Sequence, residues 1–380
     1  MKKLNKTTKS NFITYAMVIL AFVICQSLAE FGPFNIFGAE IKMTRSLKGQ
    51  LVPICVYIVM AISLNLTVGI SGELSLGHAG FMSVGAFSGI VASGWMLAAF
   101  NLENEVIRLI LSMIIGGVFA GIAGVLIGIP VLRLRGDYLA IVTLAFGEII
   151  RNVMNCLYIS LIPGTVQYIP DANNPEIFTK GFALDRLNID FNTMPDASWH
   201  VLVNGPQGAT GVDKIATFTM GFVLVMFALV VVLNLINSRS GRAIMAIRDN
   251  RIAAESMGVN ATQYKMMAFV TSAVLAGMAG ALYGLNYSTV AAAKFKFDTS
   301  ILVLVFVVLG GIGNMRGSII AAALLTILPE LLRAFADYRM LVYAIVLILV
   351  MLATNNPQIR QLFDRIIPKR KNSGKKGEAA

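Results

Sequence analysis

Apolar runs long enough to cross a bilayer recur along this chain, and several of them are broken by glycine. The early examples are Phe12 to Ala29, Leu51 to Val68 and Ile107 to Leu132, and Ile215 to Ile236 follows later. A hydrocarbon core about 30 Å thick takes about 20 helical residues but only about 10 in a tilted strand. Runs of this length are therefore helices, which satisfy their own backbone hydrogen bonds in lipid. A content of 57% hydrophobic and 13% charged residues excludes a soluble domain, because so few charges cannot cover its surface. The net charge of +11 does not require nucleic acid. Much of the excess lies in the termini and in Ser238 to Tyr264, where it suits anionic membrane lipid. Cys25, Cys55 and Cys156 lie in or near apolar runs and read as packing residues, with no disulfide framework and no metal site.

The pattern predicts an all-α polytopic membrane protein with about ten transmembrane helices, some broken, and both termini cytoplasmic. Residues 1–11 form a basic cytoplasmic N-terminus, 12–354 the transmembrane domain and 355–380 a basic cytoplasmic tail with a disordered end. Ser27-Leu28-Ala29 resembles a signal cleavage site, yet the run before it is long, so an uncleaved first span is expected. A fifth span is expected from Tyr138 to Leu161, and a last one from Met340 to Ala353. Residues 162–214 are acidic in balance and form a folded external loop that lies over a pore mouth; His200 there reads as a surface histidine. The segment 170–199 and the tail carry no assigned role. Two ladders of small residues, Gly116, Ala120, Gly124, Gly128 and Ala273, Gly277, Ala281, allow close helix contact. The run from Thr299 to Leu332 is too long for one span and breaks at Gly310-Gly311-Ile312-Gly313, giving two helices or two half-helices. Five spans plus five permit an inverted repeat in which the breaks near Gly72 and Gly313 correspond.

Residues 238–264 form a structured loop rich in Arg, on the cytoplasmic side by the positive-inside rule. Asp249 or Asn250 suits a helix N-cap, Ile252, Ala253 and Ala254 favour helix, and Gly258 suits its close. A helix of about two turns needs docking to persist. Glu255, near its C-terminus, opposes the helix dipole and hints at an external partner. From these residues alone, a docking element and a solvated loop that only fixes topology both remain open. The break from Gly69 to Gly85 frees backbone groups at membrane depth, with Asn65, Ser71, Glu73, Ser75 and His78 around it. It reads as lining a translocation path, against the alternative of a turn whose glycines serve packing. Glu148 and Arg151 share a helix face; the preferred reading has them at an interface with their heads turned to water, the alternative as an ion pair near the path. Gly310 to Gly313 has no following Lys-Ser/Thr, so it is not a phosphate loop. No catalytic residue, cofactor or metal site is expected.

Four stretches carry a resemblance: Leu64 to Phe81, Leu132 to Arg151, Gly241 to Gly258 and Leu309 to Ser318. They are similar, in order, to the LivM-type permease subunits of bacterial branched-chain amino acid ATP-binding-cassette importers. That resemblance implies a subunit in the bacterial inner membrane without a nucleotide site of its own. It implies a LivH-like second permease, two ATPase subunits and a periplasmic or lipid-anchored binding protein. Arg248, Arg251, Ala253, Ala254, Glu255 and Gly258 become the segment that couples to an ATPase. Asn65, Gly69, Gly72, Ser75 and His78 are the expected path residues. Close relatives of this type carry other cargo, urea included, and an ion-coupled secondary transporter is the alternative from another class.

Overall fold

The computed structural model describes residues 6–30, 34–36, 39–41, 45–134, 136–162, 165–168 and 200–332, with isolated positions up to 348. The segment 170–199, the expected last span and the tail fall outside the described residues. Eleven helices are described: α1 Lys6–Glu30, α2 Arg45–Asn65, α3 His78–Phe100, α4 Glu105–Val131, α5 Asp137–Asn155, α6 Phe218–Asn237, α7 Arg239–Asp249, α8 Arg251–Ser256, α9 Ala261–Gly284, α10 Phe297–Gly310 and α11 Met315–Leu331. Residues Met1–Ile327 form one compact unit; of the second, Leu328–Ala380, the described part is chiefly the end of α11.

Six helices are long and apolar enough to cross a membrane: α1, α2, α3, α4, α6 and α9. The expected count of about ten is not reached among the described residues. α5 is interrupted by Glu148 and Arg151, α10 has 14 residues, and α11 has 17. α10 and α11 are the two short helices that the glycine break implies; Gly311 and Gly313 between them have φ of 91° and 82°. The expected fifth span is too long. α5 stops at Asn155, and after the short strands β1 (Phe34–Ile36) and β2 (Ala39–Ile41) earlier in the chain, Tyr158–Ile162 is a third strand, β3. Its β-branched and aromatic residues suit a strand better than a helix end. β3 lies between β4 (Thr165–Tyr168) and β5 (His200–Asn204) in an antiparallel sheet, so His200 belongs to a strand rather than a loop.

Lipid is as apolar as leucine, so helices in it associate through close packing of small residues rather than through hydrophobicity. α4 sorts its faces by size accordingly. Ile107, Ile114, Val118, Ile122, Val125 and Ile129 point outward, while Gly116, Ala120, Gly124 and Gly128 point inward. The two small-residue ladders face each other across α4 and α9. A Cβ on Gly277 would lie 2.3 Å from the Ala120 Cβ and 2.7 Å from the Gly116 carbonyl oxygen. α3 joins the same point: a Cβ on Gly85 would lie 2.0 Å from the Gly277 carbonyl oxygen. Gly85 is thus a packing residue inside α3, and the break is shorter than Gly69 to Gly85.

Candidate functional site

α2 ends in one turn of π-helix, Leu66–Ile70, which widens the backbone before Ser71. Ser71 to Gly77 then carries no regular helix, and Gly72 takes φ 76°. This irregular segment climbs back into the bundle beside α9. Glu73 pairs with Lys265, both side chains 12% exposed, and His78 Nε2 lies 2.8 Å from Ser63 Oγ. Ser272 Oγ donates to the Ser63 carbonyl at 2.6 Å. Lys265 to Ser272 is seven residues of helix, about 10 Å at 1.5 Å per residue, which is the height regained. Other elements hold the climbing backbone. The Leu76 amide donates to Thr143 Oγ1 at 3.1 Å, and the Ala79 amide to Ser300 Oγ at 3.0 Å. The hydroxyls of Thr67, Ser71 and Ser75 are buried with no partner among the described residues.

Asn65 joins this break to the second one. Its Nδ2 donates to Ser318 Oγ at 2.9 Å and its Oδ1 accepts from the Gly313 amide at 2.8 Å. The two glycine breaks touch: a Cβ on Gly69 would lie 2.4 Å from Gly313 N. Asn65, Ser75 and His78 are buried to 2% exposure or less, and Gly69 is buried too; Gly72 alone of the expected path residues is exposed. Asn65, Gly69, Gly72 and His78 connect elements through Ser318, Gly313, Arg248 and Ser63, and Ser75 is buried among them.

The loop of residues 238–264 contains two helices rather than one. Ser238 Oγ accepts from the Gly241 amide to open α7, and Asn250 Oδ1 accepts from the Ala253 amide to open α8. Asn250 is the cap, and Asp249 instead pairs with Arg248. Gly258 closes the second helix with φ 84°. Ala254 packs in a small cluster with Ile247 and Ala261, joined by Val259 and Tyr264. That cluster supplies the docking that a six-residue helix needs. Glu255 is answered within the helix by Arg251 Nε at 2.7 Å. Ile252 and Met257 are left 81% and 84% exposed.

Arg248 ties the loop to the break. Its Nη1 donates to the Gly69 carbonyl at 2.8 Å, and its stem lies where a Cβ on Gly72 would be. The last residues of α7, the break and the turn between α10 and α11 are therefore linked through Arg248, Gly69, Asn65 and Gly313. Sequence reasoning placed Arg248 and Asn65 in separate sites and did not see this link. It also passed over Lys265, Ser63, Thr143, Ser300 and Ser318; polar residues inside apolar helices were the available signal.

Glu148 and Arg151 lie in the later half of α5, seven and four residues before its last residue, Asn155. Glu148 lies eleven residues along the 19-residue α5, about 16 Å from its start. Arg151 Nε donates to Glu148 Oε2 at 2.7 Å, and the Phe297 amide donates to Oε1 at 3.2 Å. Glu148 thus receives the first turn of α10, where a carboxylate complements the helix dipole. Elsewhere, buried Arg108 on α4 pairs with Asp213 at 3.1 Å. The described residues hold no group of three or more potential metal ligands.

Residues 47–351 match a family model described as branched-chain amino acid transport system / permease component. The chain is 35% identical over 328 residues to the high-affinity branched-chain amino acid transport system permease protein LivM of Escherichia coli, covering 86% of this chain and 72% of that protein. It is 27% identical over 276 residues to the high-affinity branched-chain amino acid transport system permease protein BraD of Pseudomonas aeruginosa, covering 71% of this chain and 79% of that protein. It is also 23% identical over 311 residues to LivH of Escherichia coli, covering 78% and 88%. No solved structure matches.

Proposed function

The chain belongs to the family of branched-chain amino acid transport permease components, and we propose that it is one of two membrane subunits of an ATP-binding-cassette importer for leucine, isoleucine and valine. A LivH-like permease completes the path, two ATPase subunits supply the work, and a separate binding protein delivers the amino acid. The complex sits in the bacterial inner membrane with α7 and α8 on the cytoplasmic side, where the arginine-rich loop suits the positive-inside rule.

In this reading α8 is the docking element. Exposed Ile252 and Met257 enter an apolar groove of an ATPase. Arg251 and Glu255 hold the helix, Ala253 and Ala254 form its body, and Gly258 turns the chain into α9. Motion of α8 passes to α7 through the shared Asn250 cap, and then through Arg248 to Gly69 and Gly72. Asn65, Gly69, Gly72, Ser75 and His78 form the joint at the inner end of the path, which opens when the break rearranges. The unpartnered hydroxyls of Thr67, Ser71 and Ser75 fit a segment that changes partners. The observation that carries the reading is the hydrogen bond from Arg248 to Gly69, since it links the loop to the bundle interior.

The test is reconstitution with the neighbouring permease, ATPases and binding protein in proteoliposomes. Leucine uptake that needs ATP and all four partners is the expected result. Uptake without the ATPases that collapses with an ion gradient would overturn it in favour of a secondary transporter; transport of urea but not leucine would change the cargo.

A further inference from the structure

α1 is held to the rest of the protein at few points. Only 11% of its apolar stretch Asn11–Leu28 is buried. Its inner end is tied to α11, where Arg316 Nε donates to Thr14 Oγ1 at 2.7 Å. Further along, the Phe22 ring stacks on Phe222 and Phe218 of α6, with centroids 4.0 and 5.1 Å away. Around these contacts α1, α2, α6 and α11 surround an apolar cavity of about 400 Å³. Its walls are aliphatic and aromatic side chains with the thiols of Cys25 and Cys55. It opens past Ile320 and Leu324, which line it and are 52% and 51% exposed. Such walls give water no hydrogen-bond partners, and an empty cavity forfeits the dispersion contacts of its lining. An apolar cavity of about 150 Å³ already holds a benzene ring, and this one is larger. Inside a bilayer the apolar matter at hand is an acyl chain.

The cavity reaches the first turns of α2 and α6, at Leu47 and Phe218. Both helices run from there toward the arginine-rich loop: α2 leads into Gly69, which Arg248 contacts, and α6 leads into α7. Their first turns therefore lie on the outer side in the proposed orientation. Basic residues crowd this start of α2. The sequence places Lys42, Arg45 and Lys48 there against Glu40, no carboxylate lies in the first turn of the helix, and Lys48 is exposed. The positive-inside rule disfavours such a cluster on the outer side. An anionic headgroup beside it removes the conflict, since basic residues at a membrane surface attract anionic lipid.

We propose that the cavity holds one acyl chain of an anionic phospholipid of the outer leaflet, with its phosphate beside Lys48. The lipid fills the gap left beside the Phe22 stack and fastens α1 to the bundle. The proposal takes from the proposed function only which end of α2 faces outward.

The test reconstitutes the full complex in vesicles of equal parts phosphatidylglycerol and phosphatidylcholine. One of the two lipids carries a diazirine in its oleoyl chain. The complex is extracted into lipid-free detergent, irradiated, and its adducts are mapped by mass spectrometry. Adducts of phosphatidylglycerol should concentrate on cavity residues such as Cys55, Phe222 and Leu324. Ala323→Phe, which fills the cavity from α11, should remove most of them, and Ala21→Phe should do the same from α1. Lys48→Gln should lower the preference for phosphatidylglycerol over phosphatidylcholine about fivefold, the weight of one basic residue near an anionic surface. Adducts spread equally over Ile114 and Val118 of α4, and unchanged by both filling variants, would mean an ordinary lipid annulus and overturn the proposal. Absence of cavity adducts in the complex, with another subunit seated there, would also overturn it. Equal capture of the two lipids before and after Lys48→Gln overturns the headgroup contact. The adducts are read without transport, so a complex that moves no leucine refutes the cargo and leaves the lipid site standing.

Discussion

Removing Arg248 is the sharpest perturbation of the proposed coupling. In Arg248→Ala the Gly69 carbonyl loses a donor at 2.8 Å, and the stem beside Gly72 disappears. The arginine side chain is 39% exposed, so water can replace part of what is lost. The net cost is therefore about 1 to 2 kcal/mol, near the low end for a charge-assisted bond. That energy corresponds to a factor of about five to thirty between two positions of the joint. The docking residues Ile252 and Met257 are untouched, so hydrolysis should continue while leucine accumulated per ATP falls by about that factor. The assay is the ratio of leucine uptake to phosphate release in proteoliposomes. Asn65→Ala should act in the same direction, because it frees the Gly313 amide. The double variant should fall short of the product of the two, since both residues act through the contact of Gly69 with Gly313. An unchanged ratio in Arg248→Ala, or independent effects in the double variant, would refute the link.

Replacing Ile252 and Met257 together by aspartate should abolish co-purification with the ATPases while leaving the chain folded, because neither side chain is buried. Gly277→Val should prevent accumulation of the protein in the membrane, since its Cβ would meet Ala120 at 2.3 Å; Gly49→Ala, with open space around it, should accumulate normally. Asp213→Ala should lower thermal stability by about 1 to 3 kcal/mol by stranding buried Arg108, and adding Arg108→Met should restore part of the loss. Gly258→Ala should cost only about 1 kcal/mol, because open space surrounds it and only the φ of 84° is adverse. Gly258→Pro should be worse in the uptake-to-hydrolysis ratio, because it also deletes the amide that donates to Glu255.

The features that depend on neighbours in sequence were legible beforehand. Asn250, Gly258 and the short helix between them follow from capping and backbone preferences, and the structure contains them. The two small-residue ladders were also visible, because small residues at four-residue spacing mean close contact. Which helix each ladder meets was not visible, since spacing states a need for a partner without naming it. The extent of α5 was misjudged because Tyr158 to Ile162 is as apolar as a helix end, and hydropathy alone does not separate strand from helix. The joint itself was hidden for the same reason: Arg248 and Gly69 are 179 positions apart, and Asn65 and Gly313 are 248 apart. That the Phe297 amide arrives beside the Glu148–Arg151 pair was hidden too, since Glu148 and Phe297 are 149 positions apart.

The climbing stretch from Ser71 to Gly77 offers a practical handle on the transport cycle. Lys265, Thr143 and Ser300 moor it or its continuation into α3 from three different helices, and Arg248 reaches its start. Leu74, between these moorings, is 38% exposed. A fluorophore attached there would sit on the moving part while sparing every mooring, and its emission would report each stroke of the engine in real time.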